Sequence, residues 1–146
     1  MTTETYRAAV IGLGRMGSTF DDEIPHGGSV FLPYCHGPAY FHSPQVELVA
    51  GADLHDEQRE MFGERWQVPK VHLYTDYREM LANEDLDIVS VCSWDPQHAE
   101  MSIAACSRRP KAVLCEKPMA RNATEAKAMF DAAERTGQLL VEAFMY

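Results

Sequence analysis

Residues 6–17 read YRAAVIGLGRMG. The first half, Tyr6–Ile11, carries Ala8, Ala9, Val10 and Ile11 in succession, without polar residues alternating between them. A run of that kind suits a strand covered on both faces. The second half sets glycines at positions 12, 14 and 17. A strand that enters G-x-G-x-x-G, with a helix to follow, is the signature of a turn that holds the pyrophosphate of a dinucleotide. Gly12 permits the tight turn, Gly14 removes the Cβ that would obstruct the pyrophosphate, and Gly17 lets the helix close on the strand. The helix N-terminus then offers unpaired N–H groups to the phosphates. A glycine-rich turn with no ligand is the plainer alternative.

Outward from this stretch the same alternation repeats. Further apolar runs fall at Val46–Ala52, Val71–Tyr74, Asp87–Cys92, Ala112–Cys115 and Gln138–Phe144, the one at Val71 being short. Helical patterns lie between them at Asp56–Trp66, Asp76–Ala82, Ala99–Ser107 and Ala123–Thr136. Strands alternating with helices imply a parallel sheet with right-handed crossovers. The expected architecture is an α/β, doubly wound Rossmann sheet with strand order 3-2-1-4-5-6. The last helix is the best punctuated. Asn122 caps it with Glu125 as a capping box, Ala126, Met129, Phe130 and Ala133 share a face, and Gly137 ends it.

One segment breaks the rhythm. Residues 18–45 contain Pro25, Gly27, Gly28, Pro33, Gly37, Pro38 and Pro44, which no continuous helix accommodates. The expectation is a short helix after Gly17, a Pro/Gly-rich insertion, and a helical turn around Pro38–His42.

Composition limits what the chain does. It has 146 residues, enough for one domain, with a net charge of -9. That charge argues against nucleic acid or an anionic membrane as partner, since both need a basic face. The N-terminus MTTETYRAAV lacks the basic start and apolar run of a signal peptide. No apolar stretch approaches the ~18 residues of a membrane span. Cys35, Cys92, Cys106 and Cys115 show no CxxC pair and no His/Cys ligand spacing, so reduced thiols, no metal and a cytoplasmic location are expected.

Three further stretches carry chemistry. Asp53 ends the second run, where an acid accepts from the ribose 2′-OH and repels a 2′-phosphate, which favours NAD over NADP. It lies 36 residues beyond Gly17 instead of about 20; the insertion accounts for the excess. Arg59 follows and would tolerate NADP; a solvated strand-end acid is the alternative for Asp53. Ser93-Trp94-Asp95-Pro96-Gln97-His98 follows the fourth strand, beside the switch-point crevice where ligands lie. Pro96 would fix the turn and His98 would begin the next helix. His98 either bonds the cofactor or only caps the helix and positions the loop. Glu116-Lys117-Pro118 follows the fifth strand. A lysine near the reacting carbon bonds a substrate hydroxyl and assists proton transfer, the more so with partial burial. A surface ion pair before a turn is the alternative.

In this order and spacing the motifs resemble the N-terminal domain of the Gfo/Idh/MocA oxidoreductase family, from Tyr6 to Tyr146. By that resemblance Gly12, Gly14, Arg15, Met16 and Gly17 contact the pyrophosphate and Asp53 the adenosine ribose. Ser93, Trp94, Pro96 and His98 line the nicotinamide side, Glu116 bonds near the nicotinamide ribose, and Lys117 is the catalytic lysine that also touches cofactor. The resemblance implies hydride transfer between a nicotinamide and a hydroxyl-bearing carbon of a sugar or polyol. It also implies that residues 141–146 begin a crossover to a substrate domain, and that the full-length form is a homo-oligomer. A dinucleotide-sensing module and a truncated, inactive fragment are the competing expectations.

Overall fold

The computed structural model describes residues 4–25 and 32–144. Six strands, β1 Tyr6–Ile11, β2 Val46–Ala52, β3 Leu73–Tyr74, β4 Ile88–Val91, β5 Ala112–Glu116 and β6 Leu139–Ala143, form one parallel sheet. Its order is β3-β2-β1-β4-β5-β6, as expected. Side chains alternate across the pleat, so the unbroken apolar run of β1 feeds two cores. Ala8 and Val10 pack with Leu13, Tyr40, Phe62 and Trp66 on one face. Ala9 and Ile11 pack with Val89, Val91, Val113 and Met129 on the other.

Helices α1 His36–Phe41 and α2 Asp56–Trp66 supply the first face. Helices α3 Tyr77–Asn83, α4 Asp95–Ser107 and α5 Ala123–Thr136 supply the second. In α5 the Asn122 side chain accepts from the Glu125 N–H at 2.9 Å, and Gly137 terminates it at φ +78°. The capping box is half formed: Glu125 Oε2 accepts from the Arg121 N–H, one residue earlier than expected. The buried stripe is Met129, Ala132 and Ala133, while Phe130 is exposed. Helix α4 starts at Asp95, four residues ahead of the apolar pattern, because extended Trp94 leads into Pro96, whose fixed φ suits a first turn.

Register places the carboxyl ends together. Ile11 pairs with Ala52 on one side and Val91 on the other. Gly12, Asp53 and the Cys92–Ser93 loop therefore leave the sheet side by side. Val91 pairs with Cys115, which puts Glu116 one step further along the same edge.

The first crossover departs most from a simple βαβ unit. The chain after Gly14 makes a wide turn at Arg15–Thr19 and a tight one at Phe20–Glu23, then resumes as α1. His26, Gly27 and Gly28 of the insertion lie outside the described residues. Its two arms are pinned together. Asp21 accepts from the N–H of Tyr34 at 2.9 Å and of Cys35 at 3.3 Å. Asp22 makes a two-pronged ion pair with Arg65 of α2, both contacts at 2.5 Å. Gly37 brings α1 hard against the glycine turn: a Cβ there would stand 2.7 Å from the Gly17 carbonyl oxygen.

Candidate functional site

A cleft of about 880 Å³ opens at the carboxyl edge of the sheet, between the ends of β1 and β4. That is the switch point of a doubly wound sheet, where ligands bind. Gly12 turns at φ +87°, and a Cβ there would meet the Cys92 and Ser93 backbone at 2.7 Å. At Gly17 a Cβ would stand 2.0 Å from the Gly12 carbonyl oxygen. Packing within the chain therefore demands both glycines.

Gly14 is different: a Cβ there would meet nothing within 4 Å, and the residue lines the cleft. Nothing in the described fold needs that side bare, whereas a ligand laid over the turn does. This is the observation by which the site fits a dinucleotide pyrophosphate. Arg15 and Met16 line the same wall. The Arg15 guanidinium is held by Glu23 through two contacts at 2.7 Å and lies over the Phe20 ring at 4.9 Å. Gly17 is buried behind the turn and does not reach the cleft.

Asp53 is a brace as well as a candidate ligand group. Its Oδ2 accepts from the Leu13 N–H and its Oδ1 from the His55 N–H, both at 2.9 Å. The carboxylate is thus fastened to the glycine turn and half exposed at the cleft. Arg59 donates to the Asp53 carbonyl at 2.5 Å and pairs with the Asp56 carboxylate.

On the opposite wall Trp94 is 81% exposed, an unusual state for an indole, and it lines the cleft with Ser93. The Ser93 hydroxyl oxygen is buried with no hydrogen-bond partner among the described residues. Such an orphan costs free energy unless a ligand or water meets it. Pro96 sits exposed in the first turn of α4, off the cleft. His98 is 2% exposed, and each ring nitrogen lies 2.8 Å from a backbone carbonyl, of Pro118 and of Ser93. It ties the β4 and β5 loops together and also lines the cleft.

Glu116 and Lys117 close the far end. Lys117 is exposed at the rim, so the partial burial expected for it is not supplied by the described residues. Its ammonium makes no hydrogen bond or salt bridge to a described residue, and the following peptide, Lys117–Pro118, is cis. Glu116 is 6% exposed. Its Oε1 faces His36 Nε2 at 3.1 Å and its Oε2 accepts from the Lys117 N–H at 3.2 Å. Burial pushes the Glu116 carboxyl up, but the His36 hydrogen bond and the Lys117 N–H outweigh it and hold it below its ordinary value.

His36, with Ser90 and Tyr40 behind it, is the group that sequence reasoning passed over. Its other nitrogen lies 2.8 Å from Ser90 Oγ, which lies 2.6 Å from Tyr40 Oη. The available signal was HGPAY: His36 and Tyr40 stand four apart, on one face of any helix formed there.

The thiols are quiet. Cys35 and Cys115 are pushed up to about 11, first by burial, and Cys92 is raised well above its ordinary value for the same reason. All four cysteines are free. Among the described residues no helix is long and apolar enough to cross a membrane.

Residues 6–144 match the Gfo/Idh/MocA family, described as an oxidoreductase family with an NAD-binding Rossmann fold. Trans-1,2-dihydrobenzene-1,2-diol dehydrogenase of Mus musculus is 35% identical over 99 residues, 68% of this chain and 28% of the relative. Myo-inositol 2-dehydrogenase from Lactobacillus plantarum superposes with a TM-score of 0.74 at 25% identity, over 95% of this chain and 36% of that one. An NAD binding oxidoreductase from Klebsiella pneumoniae does so with a TM-score of 0.73 at 27% identity, over 96% of this chain and 34% of that one. The chain spans about a third of the length of these relatives. With a match over 6–144 and the sheet order and glycine turn described above, the chain belongs to the Gfo/Idh/MocA oxidoreductase family, of which it forms the NAD-binding Rossmann fold.

Proposed function

We propose that this chain seats NAD in the switch-point cleft, as the nucleotide-binding part of a dehydrogenase acting on a hydroxyl-bearing carbon of a sugar, cyclitol or related polyol. The observation that carries the reading is the bare side of Gly14, which no packing within the described chain requires. In this reading the pyrophosphate lies over Gly12, Gly14, Arg15 and Met16, with Gly17 acting from behind by closing the turn. Asp53 receives the adenosine ribose, and its own bonds to the Leu13 and His55 N–H groups fix its direction. Two features favour NAD over NADP: the Asp53 carboxylate would repel a 2′-phosphate, and the guanidinium of Arg59 is already engaged by Asp53 and Asp56.

Ser93 and Trp94 face the nicotinamide end, with the orphaned Ser93 hydroxyl free to bond a ligand amide. Pro96 and His98 hold that loop. When bound, the nicotinamide supplies the hydride acceptor at C4. Lys117 donates a hydrogen bond to the substrate hydroxyl oxygen and steadies the charge that grows there as the hydroxyl proton passes to a base supplied from outside this chain. Glu116 holds the turn on which Lys117 stands. The diol and inositol named for the two relatives support a polyol as substrate. A cytoplasmic location belongs to the same proposal, supported by four free thiols. So does a homo-oligomer of the longer protein, supported by the exposed Phe130, Leu139 and Phe144.

The test has two arms. Titration of the chain with NADH and NADPH, followed by cofactor fluorescence, is expected to show binding with NADH the tighter; no binding of either would defeat the reading. In the longest natural form, Lys117→Ala is expected to abolish polyol oxidation while leaving NADH affinity intact. Binding without turnover in that parent form would assign a sensing module instead.

A further inference from the structure

The inserted segment reaches the cleft from beneath. Helix α1 follows β1 and packs on the face that carries Phe62 and Trp66, yet His36 crosses the switch point to touch β4 and β5. His36, Ser90, Tyr40 and Glu116 are all buried, at 8%, 0%, 8% and 6% exposure. Four polar groups so enclosed must satisfy one another. One arrangement of protons does so completely. Tyr40 donates to Ser90 Oγ, Ser90 donates to His36 Nδ1, and His36 Nε2–H donates to Glu116 Oε1. Glu116 then has Oε2 left for the Lys117 N–H. The line is directed and ends on the turn that presents Lys117 to the cleft.

We propose that His36 is a positioning residue of the cleft: through its bond to Glu116 it sets the Glu116–Lys117 turn, and so couples the interrupted first crossover to the β5 end of the site. The consequence for binding rests on the NAD reading above; the coupling to Lys117 does not. Without the Nε2–H donor, the buried Glu116 carboxylate loses its only side-chain partner among the described residues and turns toward water, taking Lys117 with it.

The experiment compares the chain with His36→Leu, His36→Gln, Glu116→Gln, Ser90→Ala and the double variant His36→Leu/Glu116→Gln. Gln places a donor near the position of Nε2, while Leu places none. Two readouts are followed: the Lys117 backbone amide in the free protein, by NMR shift and hydrogen exchange, and the Kd for NADH. His36→Leu is expected to shift the Lys117 amide, speed its exchange, and weaken NADH about tenfold or more. His36→Gln is expected to recover most of both. The double variant is expected to bind no worse than the weaker single one, since the two residues act in series. Should His36→Leu fail to fold, Ser90→Ala is expected to give the same shifts in smaller measure. An unmoved Lys117 amide, or additive losses in the double variant, would overturn the coupling. Failure of the parent chain to bind NADH would defeat the nucleotide reading alone, because the Lys117 amide still decides the coupling.

Discussion

Substituting alanine at Gly12 and at Gly14 should separate architecture from ligand binding within one loop. At Gly12 the new Cβ meets backbone at 2.7 Å, and the residue holds φ +87°. The left-handed conformation costs an L-residue roughly 1–2 kcal/mol. Forcing a methyl into backbone that cannot retreat costs about 1–3 kcal/mol more. The sum, about 2–5 kcal/mol, corresponds to a melting temperature lower by about 4–20 °C for a domain of this size. At Gly14 the Cβ meets nothing within 4 Å, so stability should stay within about 1 kcal/mol of the parent. Its methyl would stand where the pyrophosphate belongs. An overpacking cost of about 1–3 kcal/mol, now charged to the complex, weakens NADH by about 5- to 150-fold. Thermal melts and NADH fluorescence titrations of the two variants in one buffer provide the readout. If Gly14→Ala binds NADH like the parent, the turn does not seat the dinucleotide. If it melts as early as Gly12→Ala, the open side inferred for it is wrong.

Glu23→Gln should release Arg15 and tighten NADH by about two- to fivefold at low salt, with the gain shrinking as salt screens it; an unchanged Kd would show that Arg15 never meets the pyrophosphate. Stability should fall on acidification. Asp87 is held below its ordinary value by the Arg7 N–H and Lys111, and Glu84 by Tyr74 and His72 against the opposing pull of burial. Carboxyls depressed in the folded state add stability that is complete above their unfolded values, near 4. It is lost as pH falls through the folded values. Urea midpoints should therefore decline from about pH 5 downward, and less steeply in Asp87→Asn; a flat profile would contradict this. The raised thiols should scarcely react with a disulfide reagent at pH 7 while folded, and all four should react in denaturant. Phe62→Ala empties a fully buried site between Gly37 and Gly51, and should cost about 3–5 kcal/mol by denaturant titration.

The sheet was legible because its cause is local. Apolar residues in unbroken succession suit a strand buried on both faces, and Ala8–Ile11 of β1, Leu48–Ala52 of β2 and Ala112–Cys115 of β5 are long enough to stand out. Where the cause lies elsewhere, the sequence was less informative. β3 keeps two residues of its apolar run because Lys70–His72 coils into a turn first. Helix α4 reaches back to Asp95 on the strength of one proline, ahead of its apolar pattern. Phe130 looked like core because it lies beside Met129, but the buried stripe runs through Ala132. At the site, the glycines and Asp53 were readable as a motif with a mechanism. The bond from Asp53 to the Leu13 N–H was not, since 40 residues separate them. His36 was hidden further: 80 residues from Glu116 and behind an insertion that obscures its place in the crossover.

The interruption of that crossover is cheap and has a structural return. Loop-closure entropy rises only with the logarithm of length, so what matters is how firmly the ends are joined. Asp21 joins them with bonds to two successive N–H groups, and Trp66 Nε1–H secures the turn below through Ser18 Oγ at 2.8 Å. With its ends fixed, the second arm is free to start a new helix at its own angle, unbound by the register of the turn at Arg15–Thr19. That freedom puts His36 and Tyr40, one helical turn apart, against the same serine of β4. A buried serine mid-strand in an otherwise apolar run would be a defect by itself. Ser90 is instead the point where the first crossover meets the second half of the sheet, and its hydroxyl earns its place there by having a partner on both sides.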